Sequence, residues 1–169
     1  MNFESQNLKF SPLSLEHADF YYLMESDPEV LKYYRREVAR DLEESQKNLK
    51  AYTDYSSENP GFGAMIVSHK ESGNLIGLAV VIHLDKNPAN KEIEIGYRLP
   101  VHNWGKGYAT EIAKALVNYV FHSLSYKEVY GTTHPDNLAS QKVLLKAGFE
   151  LVGEGTYHGG LNKVFKLVK

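Results

Sequence analysis

Apolar and polar residues alternate with two different periods along this chain, and the change of period predicts where helices give way to strands. In the first third, apolar residues recur every three or four positions, which is typical of amphipathic helices. Residues 41–57 show this pattern, because Leu42, Leu49 and Tyr52 fall on one side and charged residues on the other. Ser14 is a candidate cap for an earlier helix. Before residue 41 the pattern thus predicts a short strand at 8–13 and two helices, at 15–26 and 28–36.

After these helices the apolar residues come in short runs bounded by turn-forming residues, which predicts strands. The segment "KESGN" (70–74) predicts a hairpin turn between the first two runs. A later set, including Ile112, Leu116 and Val120, has helical spacing and predicts a helix over 107–124. The remaining predicted elements are strands at 61–69, 75–84, 92–99, 128–133, 149–157 and 163–168 and a helix at 137–148. This order of strands and helices predicts a mixed sheet with helices on its faces.

The composition narrows the class of protein. A length of 169 residues without an internal repeat or linker predicts a single domain, 1–169. A net charge of −2 argues against a nucleic-acid partner, and no apolar run approaches the roughly 20 residues of a membrane span. The first ten residues lack the features of a signal peptide, so we expect a cytoplasmic location. The absence of cysteine excludes disulfides and thiolate metal sites.

The segment "HNWGKGYATE" (102–111) places two glycines where a strand ends and a helix begins. The first amides of a helix lack internal partners and carry the positive end of its dipole, so such a turn suits an anion such as phosphate. No Ser or Thr follows Lys106 as a P-loop requires. Thr110 stands where the dinucleotide fingerprint needs its third glycine. By itself the turn is equally compatible with a phosphate site and with a helix start that binds nothing.

A second motif further along the chain gives the turn a context. The stretch "NLASQKVLLKAGF" (137–149) follows the next predicted strand, and "EIGYRLP" precedes the turn. Together with Trp104-Gly105-Lys106-Gly107-Tyr108-Ala109, these motifs resemble the GNAT acetyltransferases, and within them the RimJ/RimL-type branch. Trp104 replaces the usual Gln or Arg at the start of the pyrophosphate motif. The resemblance implies a mixed, mostly antiparallel, splayed central sheet of about seven strands flanked by helices.

The resemblance also implies acetyl-CoA as cosubstrate. Backbone amides of 105–110 would hold the pyrophosphate, and the strand around Tyr97 and Leu99 would pair with the pantetheine arm. The amide near Leu99 would stabilise the oxyanion that forms from the thioester. Asn137 would bind pantetheine or merely cap its helix, and Lys142 would reach the 3′-phosphate or remain a solvated charge. The implied coenzyme-binding residues are Tyr97, Leu99, Trp104, Gly105, Lys106, Gly107, Tyr108, Ala109, Thr110, Asn137 and Lys142.

Two catalytic residues are predicted for a direct transfer of acetyl to an amine. Period-two alternation puts Glu92 and Glu94 on one strand face, and Glu94 matches the family's base region; a solvent-facing pair of glutamates is the alternative. The tyrosine that usually serves as general acid is replaced by Leu144. Ser140 stands where the RimJ/RimL branch carries a serine for the leaving thiolate, although it could also be a capping hydroxyl.

The acceptor remains open at this stage. A protein or peptide N-terminus is the leading acceptor, followed by a small amine such as a polyamine or an amine antibiotic, and a coenzyme A-binding module without turnover is the third possibility. The histidines show no metal-binding spacing, so His102, His134 and His158 are interpreted as loop residues and no metal is predicted. Tyrosines of the N-terminal helices are candidates for the acceptor wall. Neither a monomer nor a homodimer is favoured.

Overall fold

The structure, a computed structural model, describes residues 1–34 and 37–169. Its strands are β1 Phe3–Glu4, β2 Leu8–Pro12, β3 Gly63–His69, β4 Leu75–His83, β5 Ile93–Arg98, β6 Glu128–Thr133, β7 Glu150–Tyr157 and β8 Gly160–Val168. Its α-helices are α1 Ala18–Glu25, α2 Pro28–Leu31, α3 Leu42–Glu58, α4 Tyr108–His122 and α5 Leu138–Lys146. Short 3₁₀ turns precede α1 and follow β4 and β5.

All eight strands form one sheet in the order β1-β2-β3-β4-β5-β6-β8-β7. Neighbouring strands are antiparallel, except that β5 and β6 run parallel. Within the described residues the pairing of β5 with β6 is limited to Glu94 opposite Tyr130, whereas β4 pairs with β5 over six residues. The two strands therefore diverge beyond Glu94. This confirms the predicted mixed, mostly antiparallel and splayed sheet, to which the two-residue β1 adds an eighth strand.

Each face of the sheet carries its own apolar core. Alternation along β5 sends Ile93 and Ile95 to one face, where they pack with Ile112 and Leu116 of α4. The other face packs against the N-terminal helices, with Leu49 of α3 buried there. No helix in the described part of the chain is long and apolar enough to span a bilayer.

The N-terminal helices differ most from the prediction. The segment predicted as one helix over 15–26 starts with a 3₁₀ turn and becomes α-helical at Ala18. The helix predicted over 28–36 begins as expected, with the Asp27 carboxylate accepting the Glu29 amide at 2.9 Å, but α2 ends at Leu31. A turn follows, and residues 35–36 of that prediction lie outside the described residues.

The last strand is longer than predicted. β8 begins at Gly160 rather than at residue 163, because a two-residue turn, His158–Gly159, connects it directly to β7. Sequence periodicity missed this turn because Gly159 and Gly160 interrupt the apolar pattern.

Candidate active site

A cavity of about 840 Å³ opens where β5 and β6 diverge. The end of β5, the glycine turn and the start of α5 line one part of it, and residues of 29–34, β4 and the β7–β8 turn line the other. The cavity brings together the site residues that the sequence predicted, except Lys106, whose side chain is exposed and does not line it. These lining residues are Glu94, Tyr97, Leu99, Trp104, Gly105, Gly107, Tyr108, Ala109, Thr110, Asn137, Ser140 and Lys142.

The glycine turn has a backbone that other residues rarely adopt. Gly105 and Gly107 have φ of +72° and +87°, in the left-handed region, and Gly107 is the N-cap of α4. A Cβ built on either glycine meets no atom within 4 Å, so the space beside both glycines is open. Because the first amides of a helix lack intrahelical partners, this turn suits an anionic group such as a phosphate.

Two side chains next to the turn fix it to the sheet. The indole of Trp104 donates a hydrogen bond of 2.8 Å to the carbonyl of Leu99, at the end of β5. The buried amide of Asn103 donates at 3.0 Å to the carbonyl of Ile76 in β4. Trp104, predicted from its place in the motif, thus has a structural contact of its own, and Asn103 was not recognised from the sequence.

The start of α4 is also tied to the N-terminal strands. The carboxylate of Glu111 accepts hydrogen bonds from the Ser5 hydroxyl at 2.6 Å and from the Asn7 backbone amide at 2.7 Å. Partial burial opposes ionisation of Glu111, but these hydrogen bonds prevail and lower its pKa. The first turn of α4 is therefore held from two sides.

Helix α5 presents Ser140 to the cavity. The side-chain oxygen Oδ1 of Asn137 accepts a hydrogen bond from the Ser140 backbone amide at 3.0 Å, so Asn137 caps α5 while lining the cavity. The Ser140 hydroxyl lies 3.0 Å from the Tyr97 hydroxyl, and burial raises the pKa of Tyr97. Leu144, in place of the usual tyrosine, is buried and lies close to Gly131 of β6.

The two candidate bases occupy different surroundings. Glu94 is 6% exposed, whereas Glu92 is exposed, so only Glu94 is enclosed by the cavity. The Thr132 hydroxyl donates to one carboxylate oxygen of Glu94 at 2.5 Å. His158 Nε2 lies 2.8 Å from the other oxygen. Sequence analysis missed His158, whose place opposite Glu94 depends on the short β7–β8 turn.

Aromatic and charged side chains line the part of the cavity away from the glycine turn. Tyr33, Tyr34 and Tyr52 belong to this wall, which identifies the tyrosines that reach the cavity. The rings of Tyr33 and His134 are 5.5 Å apart, and Lys86 Nζ lies 4.3 Å from the centre of the Tyr52 ring. An aromatic wall with charged edges is suited to an acceptor that is amphipathic rather than fully apolar.

Comparison with known proteins decides the family. The acetyltransferase (GNAT) domain family matches residues 7–150. This chain belongs to the GNAT acetyltransferases. A curated relative from Bacillus licheniformis, the uncharacterized N-acetyltransferase p20, is 31% identical over 88% of this chain and 82% of its own length. This GNAT chain is therefore an acetyl-CoA-dependent acyltransferase.

Solved structures share the GNAT fold but differ in acceptor. One is a RimL ribosomal alpha-N-protein acetyltransferase in complex with coenzyme A, with a TM-score of 0.81, 17% identity, and coverage of 99% of this chain and 98% of that one. Another is spermidine N-acetyltransferase from Vibrio cholerae with coenzyme A and spermine, with a TM-score of 0.76, 18% identity, and coverage of 96% and 95%. At these identities the likeness establishes the fold alone.

Proposed function

We propose that this GNAT enzyme acetylates the N-terminal amine of a protein or peptide, as the RimJ/RimL-type branch does. The observation that carries the proposal is that a buried carboxylate, Glu94, and the glycine turn 105–107 open into one cavity at the splay of the sheet. This arrangement can hold a phosphorylated acyl donor at one end and deprotonate an amine near the middle.

The coenzyme would occupy the part of the cavity between α4 and α5. The turn and the first amides of α4 would hold its pyrophosphate, and the diverging edge of β5 around Tyr97 and Leu99 would pair with pantetheine. Asn137 and Lys142 line the same part, where Lys142 could meet the 3′-phosphate. Lys106 is exposed, so its contribution would come from its backbone amide.

The proposed reaction is a direct transfer. Glu94 accepts a proton from the acceptor ammonium, and the neutral nitrogen then attacks the thioester carbonyl carbon. The new C–N bond forms, the C–S bond breaks, and the amide of Leu99 stabilises the oxyanion meanwhile. Ser140 donates a hydrogen bond to the departing thiolate. The nitrogen, positively charged after the attack, loses a second proton, which reaches the thiolate through solvent. The Tyr97 hydroxyl, within reach of the Ser140 hydroxyl, helps to orient it.

The charges of the cavity favour an acceptor with a single ammonium group. Among the described lining residues two are acidic, Glu29 and Glu94, and Glu94 is in an ion-pair contact with His158. The basic lining residues are Lys32, Lys86, Arg98, Lys142 and Lys146; Arg98 is paired with the buried Glu25 carboxylate, and Lys142 lies in the part assigned to the coenzyme. A polyamine carries several positive charges, and its additional ammonium groups would meet Lys32 and Lys86.

The acidity of the amine supports the same acceptor class. An N-terminal amine has a pKa of about 7.7–8.0, so about a tenth is already neutral near pH 7, whereas a lysine-type amine at about 10.4 is almost wholly charged. A weak base acting through water is sufficient for the first amine and less well matched to the second.

A thiol-release assay with acetyl-CoA tests this function. Unblocked peptides should release coenzyme A thiol, and the same peptides carrying an N-terminal acetyl group and an internal lysine should not. Mass spectrometry should locate the product acetyl group on the N-terminal nitrogen. Faster turnover of spermidine or an amine antibiotic would instead assign a small-amine acetyltransferase. Coenzyme A binding without turnover of any amine in the panel would make the chain a non-catalytic binding module.

A further inference from the structure

His158, in the turn between β7 and β8, places its side chain against Glu94. That side chain is 34% exposed, and its Nε2 is 2.8 Å from Glu94 Oε2. Thr132 Oγ1 donates to the other oxygen of the carboxylate at 2.5 Å. Of the two protein donors to this carboxylate, the hydroxyl cannot change its charge near neutral pH, whereas the imidazole can.

The turn that carries His158 has an uncommon backbone. His158 and Gly159 have φ of +51° and +81°, as a two-residue type I′ turn requires. Asn-Gly is the favoured pair in such turns, and histidine is among the few other residues enriched at left-handed positions. Backbone strain of this kind persists where surrounding contacts impose it and is concentrated at functional sites.

A second strained segment holds the turn in place. The carboxylate of Asp85 accepts the His158 backbone amide at 2.7 Å, and Asp85 and Lys86 have φ of +59° and +54°. Two loops from different parts of the chain thus fix each other, and the imidazole is directed at Glu94. The contact is built into the fold and is not a chance encounter of surface side chains.

The charges around the imidazole favour its protonated form. Nε2 meets Glu94, and Nδ1 lies 3.4 Å from Asp85 Oδ1, so both ring nitrogens face carboxylates. The hydrogen bond with Glu94 raises the pKa of His158 above 6.5; partial burial opposes the shift, the charges of Glu94 and Asp85 add to it, and Lys86 opposes it. These three residues are the charged groups that face the ring from β5 and from the turn after β4.

We propose that His158 is a positioning residue that decides when Glu94 can act as the base. As imidazolium it pairs with Glu94 and cancels the negative charge that this carboxylate presents to the cavity. When His158 loses its proton, Glu94 remains as a net negative charge that attracts the acceptor ammonium and accepts its proton. This inference rests on the proposed function, because it concerns the same base.

The direction of the pH effect follows from this pairing. At a pH below the raised pKa of His158, the Glu94 carboxylate is held in the ion pair, and kcat/KM is lower than it would be without that charge. At a pH above it, His158 is neutral and kcat/KM is no longer lowered. A His158→Gln variant keeps an N–H donor at the distance of Nε2 but cannot be charged, so its kcat/KM is not lowered in this way. The acceptor amine ionises identically in both proteins, and its contribution cancels in the ratio of wild-type to variant kcat/KM.

The first experiment measures that ratio from pH 5.5 to 9 with one peptide acceptor. We expect the wild-type to His158→Gln ratio to rise with pH as a single ionisation, by up to about tenfold per pH unit below the pKa of His158. His122→Gln, a variant of an exposed histidine at the end of α4, should give a constant ratio. A constant ratio for His158→Gln would mean that the residue only supports the turn, and would overturn the proposal.

The second experiment follows His158 directly by NMR of histidine-labelled protein, with the signal assigned by its loss in His158→Asn. Asparagine suits the type I′ turn but is too short to reach Glu94, so the variant should fold. We expect the pKa of His158 to exceed 6.5 and to fall in Glu94→Gln. An ordinary pKa that Glu94→Gln leaves unchanged would show that no ion pair exists, whatever the acceptor. If no peptide is acetylated but the pKa of His158 is raised and falls in Glu94→Gln, the proposed function is overturned and the ion pair between His158 and Glu94 is supported.

Discussion

Glu92 and Glu94 have the same side chain and lie two positions apart in the sequence, yet only Glu94 is buried against the cavity. Thr132 and His158 complete the surroundings of Glu94, whereas Glu92 precedes β5 at an exposed position. The difference arises because Glu92 precedes β5, which begins at Ile93, whereas Glu94 lies within the strand and pairs with Tyr130 of β6. Chemical identity alone therefore does not select the base.

Replacement of Glu94 by Gln should lower kcat/KM by about 10²–10⁴-fold near neutral pH, since that is the usual contribution of a general base. Acetyl-CoA affinity, measured by calorimetry, should not change. Raising the pH should recover part of the rate, because the acceptor amine then loses its proton without help. Glu92→Gln is the matched control and should behave as wild type. Equal rates for all three proteins would exclude the carboxylate as base.

Sequence reasoning found the residues whose role depends on a local motif. The glycine turn, Asn137 and Ser140 follow one another at fixed spacing, and the structure brings all of them to one cavity. His158 could not be found in this way, because its contact with Glu94 spans 64 positions and depends on a turn that the apolar pattern did not resolve. Its role, like that of Glu94, stays a prediction until measured.

At the scale of elements, side-chain contacts anchor the start of α4 to the sheet and to the N-terminal segment. Gly107 turns the chain into the helix, Asn103 and Trp104 bind it to β4 and the end of β5, and Glu111 binds it to the N-terminal strands. These contacts hold the helix amides in a fixed position before any ligand arrives. Such preorganisation reduces the entropy lost when an anion binds.

A valine at Gly107 tests this helix start. The positive φ should cost about 1–3 kcal/mol in the free energy of unfolding, and the branched side chain would enter the space assigned to pyrophosphate. We therefore expect coenzyme A affinity to fall by more than about tenfold in calorimetry, a loss of over 1.4 kcal/mol.

Gly73 provides the control for this variant. It has φ of +71° in the β3–β4 hairpin, and a Cβ there also meets no atom within 4 Å. Gly73→Val should show a similar loss of stability with unchanged coenzyme A affinity. If Gly107→Val folds and binds coenzyme A as tightly as Gly73→Val does, the turn is not a phosphate site.

At the scale of the whole molecule, a buried ion pair joins the N-terminal helices to the sheet. The Arg98 guanidinium on β5 contacts the Glu25 carboxylate on α1, and both side chains are almost fully buried. The Tyr21 and Tyr34 rings each lie 5.2 Å from the guanidinium carbon. The cavity thus has one wall whose position depends on a charge pair rather than on apolar packing alone.

Glu25→Ala should lower the free energy of unfolding by about 3–5 kcal/mol, because it leaves a charged guanidinium buried without its carboxylate. Urea denaturation measures the loss. Replacing both residues by Met should return most of the stability, since the uncompensated charge is then gone. Asp54→Ala, which breaks an exposed ion pair with Lys50 on α3, should cost no more than about 0.5 kcal/mol. A similar small loss for Glu25→Ala would show that the buried pair is not what holds the wall.

The fold as a whole was predictable where periodicity is strong. The α3 and α4 helices and the strands from β3 to β7 lie within a few residues of their predicted bounds. The two-residue β1 and the early end of α2 were not predictable, because such short elements depend on pairing with distant segments rather than on their own pattern. The single residue pair between β5 and β6 is likewise a long-range property.

The β7–β8 turn has a consequence for how enzymes of this kind diverge. The matched family region ends at residue 150, and His158 lies beyond it, in a two-residue turn outside both apolar cores. On the role proposed for His158, one codon change at this position would shift the pH range in which the enzyme works, while Glu94 and the residues of the coenzyme turn stay the same. Gene duplicates could adapt to different cellular conditions by that route, with their inherited catalytic centre intact.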